Sequence, residues 1–164
     1  MGLFSKKQKY TVDGMAMQMM FESIKCCDKL QDFDDVDGAQ FVAVSIGYFY
    51  GFLKMHLNSI TSLDTANAII NKSIVHLENA MKDRPLLQNI GSTVRVMANN
   101  SSENMQYALK ELEENPLLGT GILYLKDLYS SSTIDISKVG IAEQNMRLLY
   151  GMTSNLTKDI KIVK

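Results

Sequence analysis

Five aspartates, Asp28, Asp32, Asp34, Asp35 and Asp37, fall within residues 28–37 and are the first group here whose type and spacing suggest chemistry. Clustered carboxylates followed by a glycine, Gly38, look at first like a calcium loop. The spacing fails that test. Such a loop needs glycine at its sixth position and glutamate at its twelfth. With Gly38 at six, Phe33 stands at one and Val44 at twelve. The run reads better as acids gathered at the positive N-terminal end of a following helix. It also offers a surface to a basic partner.

The remaining candidates are weaker. Cys26 and Cys27 are adjacent, which strains ordinary disulfide geometry. Flanking Lys25 and Lys29 would favour a reactive thiolate, since thiols are activated in exposed, electropositive settings. Cys27 falls on an apolar helical stripe and is expected in the core; the spacing leaves Cys26 open. His56 and His76 are the only histidines, and neither has a carboxylate or thiol at metal-ligand spacing. Glu111, Glu113 and Glu114 form a second acidic cluster, but a di-iron site would need Glu-x-x-His pairs. Gly119-Thr120-Gly121 is too short to be a phosphate-binding loop. No catalytic, metal or cofactor site is recognisable, so an enzyme is disfavoured and no cofactor is expected.

The elements that would position these groups are helical throughout. Val12, Met15, Ala16, Met19, Met20, Ile24, Cys27 and Leu30 recur at three-four spacing, the signature of one helix face. Thr11 is suited to cap that helix. Asp37 with Gln40 three residues on forms a capping-box-like pair for a second helix over residues 39–57. That helix is apolar on nearly all sides and should lie at the centre. Its Gly47 and Gly51 share a face and mark a close helix–helix approach.

Ser62 caps a third helix that stops near Asp83, because Pro85 disfavours helix before it. Pro85 opens a fourth helix through Leu86, Leu87, Ile90, Val94 and Met97. Asn99-Asn100-Ser101-Ser102 reads as a turn before a fifth helix. Pro116 opens another, to about Tyr129. A loop over residues 130–133 precedes a last helix from Ser137. The expected fold is all-α, a compact array of six or seven helices with short loops and no sheet. Residues 11–157 make one domain; residues 1–10 and 158–164 are expected to be loose, basic ends.

Bulk properties agree with such a domain. The chain has 164 residues, 46% apolar and 21% charged, with two prolines, enough for a core without disulfides. Of 17 basic and 18 acidic residues, six lysines and one aspartate lie in the ends, which leaves the body with a net charge of −6. An acidic body disfavours nucleic acid, whose binders carry basic patches. The apolar stretch over residues 41–53 is too short for a bilayer, which needs about 20 residues. The first residues lack the apolar core of a secretory leader. Gly2 invites N-myristoylation, but Lys6 stands where that motif wants serine or threonine. The cysteine usage suits a reducing, cytoplasmic setting.

The reading that follows is a non-catalytic interaction domain, of the inhibitor or immunity type, that binds a basic protein partner through Asp28, Asp32, Asp34, Asp35 and Asp37. Two alternatives stand beside it. One is a domain holding a small apolar ligand among Met15, Met19, Met20, Phe49, Phe52 and Met55. The other is a subunit of a helical homo-oligomer.

Overall fold

A computed structural model describes residues 7–87, 90–130 and 133–163. Readings made for Gly2, Lys6, residues 131–132 and Lys164 lie outside the described residues. Six α-helices dominate: α1 (Val12–Cys27), α2 (Gly38–Ile60), α3 (Leu63–Met81), α4 (Ile90–Glu111), α5 (Pro116–Tyr129) and α6 (Ile136–Thr157). No helix among the described residues is long and apolar enough to cross a membrane.

The caps are where the sequence places them. The Thr11 hydroxyl accepts from the Gly14 N–H, and Ser62 accepts from that of Thr65. Asp37 accepts from the amides of Ala39 and Gln40 at 3.0 and 3.1 Å. The capping box itself is not closed, because the Gln40 amide turns away to the Asp127 and Leu128 carbonyls.

Helix α2 runs through the middle and touches every other helix. Every residue from 43 to 53 is buried, which explains why no polar face exists there. Its closest neighbour is α4. A Cβ built on Gly47 would lie 2.2 Å from the Met97 Cβ, and one on Gly51 would lie 2.8 Å from the Ser102 backbone nitrogen. Only glycine permits that approach.

This contact also corrects the expected turn at residues 99–102. Helix α4 continues straight through it, and Pro85–Leu87 is only a single 3-10 turn ahead of α4. Small side chains that favour turns in isolation are here the ones that fit against the glycines of α2. Ser101 is fully buried. Its hydroxyl bonds the Met97 carbonyl, back-bonding that helices tolerate, and also reaches the Gly47 carbonyl at 3.2 Å.

Two short strands, β1 (Gln8–Thr11) and β2 (Ile160–Val163), pair in parallel with Gln8 opposite Ile160. The expectation of no sheet and of loose ends fails at these residues. Four-residue strands are too short to show a period-two pattern. Their cause is apolar: Ile160 is buried, and Tyr10 and Ile162 pack on the core. Asp159 makes the bend after α6 with φ 55°, a left-handed conformation that aspartate tolerates better than most residues.

The stripe of α1 is one position out of phase with expectation at its end. It runs Met15, Met19, Ser23, Cys26, so Cys26 is fully buried and Cys27 half-buried. Ser23 hides the phase by being polar, yet it is satisfied inside by the Met19 carbonyl at 2.6 Å.

Candidate functional site

The acidic residues lie on the connector between α1 and α2, and that connector is anchored at four points. Leu30 and Phe33 are buried. The Phe33 ring meets Phe41 and Tyr129 edge-on, with centroids 6.4 and 6.1 Å away. The Asn145 side chain on α6 grips the backbone of Gln31 twice: its Oδ1 accepts from the Gln31 N–H at 2.9 Å and its Nδ2 donates to the Gln31 carbonyl at 2.7 Å. Asp35 accepts from the Tyr129 hydroxyl at 2.7 Å and from the Lys138 ammonium. Lys138 also lies over the Tyr129 ring, 4.4 Å from its centre. Finally, Asp37 is committed to capping α2.

These contacts divide the five acids. Lys138 and then Tyr129 hold the Asp35 carboxyl below the usual carboxylate range. In return, Asp35 and Tyr129 push the Lys138 ammonium upward. Asp35 and Asp37 therefore serve the fold. All five are exposed, Asp35 and Asp37 included. Asp32 spends one oxygen on the Phe33 N–H. Asp28 and Asp34 have no side-chain hydrogen bond or ion pair among the described residues.

The other candidates do not assemble. His56 and His76 stand on different helices, and no metal-holding group of His, Cys, Asp and Glu occurs among the described residues. The His56 ring packs on Tyr150, 5.3 Å between centroids, and burial lowers its pKa. The Cys26 thiol donates to the Ser23 carbonyl at 3.0 Å. The neighbouring Cys27 thiol and burial push it up, the opposite of what a nucleophile needs. Glu111, Glu113 and Glu114 border an open hollow of 650 Å³ between α4 and α5. Met15, Met19, Phe49 and Phe52 are fully buried in the core, Met20 nearly so, and Met55 half-buried against it.

A second polar group was not legible as a site. Asp127, on the last turn of α5, is half-buried, and its Oδ2 accepts from the Tyr48 hydroxyl at 2.7 Å. Burial raises its pKa because the charged form loses hydration. An acid between Leu125 and Leu128 was the one available signal. The sign of the resulting pH effect is fixed. A carboxyl with a raised folded pKa favours folding most below the ordinary carboxylate value of about 3.9. That contribution declines as pH rises through the raised value. Asp127→Asn keeps an acceptor for Tyr48, so urea denaturation should find it at least as stable as the parent at pH 7. Relative to the parent it should lose ground as pH falls to 4. A variant weaker than the parent at pH 7 but not at pH 4 would contradict this.

Among the described residues the fold is a predominantly all-α packing of six helices with a clamped acidic connector. No protein-family model, curated protein or solved structure matches the chain.

Proposed function

We propose that the protein is a non-catalytic interaction domain that engages a basic protein partner through the acidic connector, as an inhibitor of the immunity type does. The observation that carries this reading is the division of labour within the connector. All five acids are exposed, but Asp35 and Asp37 spend their carboxylates on fixing its shape, while Asp28, Asp32 and Asp34 hold neither an ion pair nor a helix cap among the described residues. A surface ordered before binding loses less entropy on association, and this is the usual advantage of a preorganised binding element. Complementary charge on such a surface speeds encounter and selects partners by sign.

The test neutralises only the three acids that hold neither an ion pair nor a helix cap. Asp28→Asn/Asp32→Asn/Asp34→Asn should fold with unchanged stability to within about 0.5 kcal/mol, as exposed substitutions do. Affinity for a partner captured by the parent protein should fall tenfold or more. The parent complex should weaken as salt rises from low to moderate, because exposed charge pairs are screened. A stoichiometric partner bound equally well by the triple variant would overturn the proposal. So would a captured partner with an acidic contact surface.

A further inference from the structure

Beyond Asp37 the first turns of α2 form the floor of a cleft. Pro85 and Leu87, then Ile90, Thr93 and Met97 of α4, line it together with Gln40, and Asp127 borders it too. Two lobes of 390 and 410 Å³ meet at Ala39, Pro85 and Leu87. The near lobe reaches Asp37 and Asp83, with Arg84 beside them. The cleft therefore reaches from the acidic connector to a half-buried carboxylate, and its lining between them is mostly apolar, with Gln40 and Thr93 as the polar residues of the far lobe.

Asp127 is incompletely matched there. Tyr48 donates to Oδ2, whereas Oδ1 has no hydrogen bond and the side chain no ion pair among the described residues. A half-buried carboxylate without a counter-ion is a poor arrangement in the free protein and a strong attractor for a cation, because Coulomb interactions grow as the local dielectric falls. The lining asks for something else as well. Gln40 and Thr93 are polar, but Gln40 spends its amide on the Asp127 and Leu128 carbonyls. Ala39, Ala43, Val44, Pro85 and Leu87 offer no polar side-chain group, so an occupant with an apolar stem behind its charge fits them. A lysine side chain has that form: its methylenes lie along apolar surface while the ammonium reaches a polar end. A single available oxygen suits the point charge of an ammonium better than the two-pronged guanidinium, which pairs with both oxygens of a carboxylate.

We infer that this cleft is the anchor pocket of the interface and seats one lysine side chain of the basic partner, its ammonium on Asp127 Oδ1. The inference rests on the proposed partner-binding role of the connector and adds to it the residue recognised and the place where it docks.

Two probes test it by amide chemical-shift titration of the full chain. The first is Nα-acetyl-lysine N-methylamide against its norleucine counterpart, which keeps the stem and lacks the amine. The lysine derivative should shift the amides of residues 39–44 and 127 and bind at least fivefold more tightly than norleucine. Asp127→Asn should abolish that preference, and the connector triple variant should keep it. The second probe is pentalysine. It should bind the parent more tightly than the single lysine, and the triple variant should lose that gain.

The outcomes separate the two ideas. Equal binding of lysine and norleucine overturns the anchor pocket, as does a lysine preference that survives Asp127→Asn. Absence of any shift near residues 39–44 overturns it too. Pentalysine binding no tighter than single lysine identifies the occupant as a free amine and overturns the docking role. A pentalysine gain that survives in the triple variant refutes the connector reading and leaves the pocket standing.

Discussion

Replacing Gly51 by alanine should destabilise the protein by about 2 kcal/mol, the overpacking penalty exceeding what helix propensity returns. Propensity alone predicts the opposite sign, since glycine inside a helix is worse than alanine by about 1 kcal/mol. The new methyl group would sit 2.8 Å from the Ser102 backbone nitrogen and 2.9 Å from the Ala98 carbonyl oxygen. Backbone cannot swing aside as a side chain can. It would also sit 2.0 Å from the Ser101 hydroxyl, whose rotation would give up the bonds to Met97 and Gly47.

The helices must then part along their whole shared length, and forced expansion of a packed core costs about 1–3 kcal/mol, occasionally more. In thermal unfolding the loss corresponds to about 4–8 °C for a chain of this size. Gly47→Ala should act in the same direction. The double variant should be less than additive, because both methyls force one separation. Gly140 supplies the control. It lies inside α6 with nothing within 4 Å of a built Cβ, so Gly140→Ala should stabilise by up to about 1 kcal/mol. A Gly51→Ala protein as stable as the parent would show that α2 and α4 do not pack at this distance.

That glycine pair was legible because a penalty in a helix interior demands a reason, and close approach is the commonest. The caps Thr11, Asp37 and Ser62 were legible for a similar reason: each acts on amides two or three residues away. What failed did so where local composition pointed away from the packed outcome. Asn99-Asn100-Ser101-Ser102 carries a turn's composition, and only α2 lying against it makes the segment helical. Cys26 rather than Cys27 takes the core position, and the sequence hides this because Ser23, a polar residue, occupies the stripe one turn earlier.

The site divides along the same line. Its acids stand together in the chain and were visible at once. The groups that shape them do not: Lys138 lies 103 residues from Asp35, and Asn145 lies 114 from Gln31. Nothing in the local composition of α6 announces that these two side chains reach back to the connector. Asp127 and Tyr48 are separated by 79 residues and meet only because α5 lies beside α2. The sequence thus exposes which residues carry charge, while the packing of α5 and α6 decides which of those charges remain available.

Asn145 is the second place where one substitution should have a large effect. Asn145→Leu keeps the volume and removes both bonds to Gln31, along with the contact to the Tyr124 hydroxyl. A buried group stripped of its partner costs about 1–3 kcal/mol. Gln31 itself is exposed, so water replaces part of what its backbone loses. A destabilisation of about 2 kcal/mol is expected. Most of it should be local, so the Gln31 amide should lose its hydrogen-exchange protection while amides in α2 and α4 keep theirs.

The variant also separates two ways in which the acids could act. It leaves Asp28, Asp32 and Asp34 in place and changes no charge. If the connector binds as a diffuse cloud of negative charge, partner affinity stays the same. If its fixed shape matters, binding must now order one or two residues that were ordered before. Each costs about 1–2 kcal/mol, so affinity should fall about tenfold or more. Its dependence on salt should not change, because the charges that meet are the same. A weaker complex with an unaltered salt slope is the signature of lost preorganisation, and charge neutralisation at Asp28, Asp32 and Asp34 should give the reverse, a flattened slope on an intact fold.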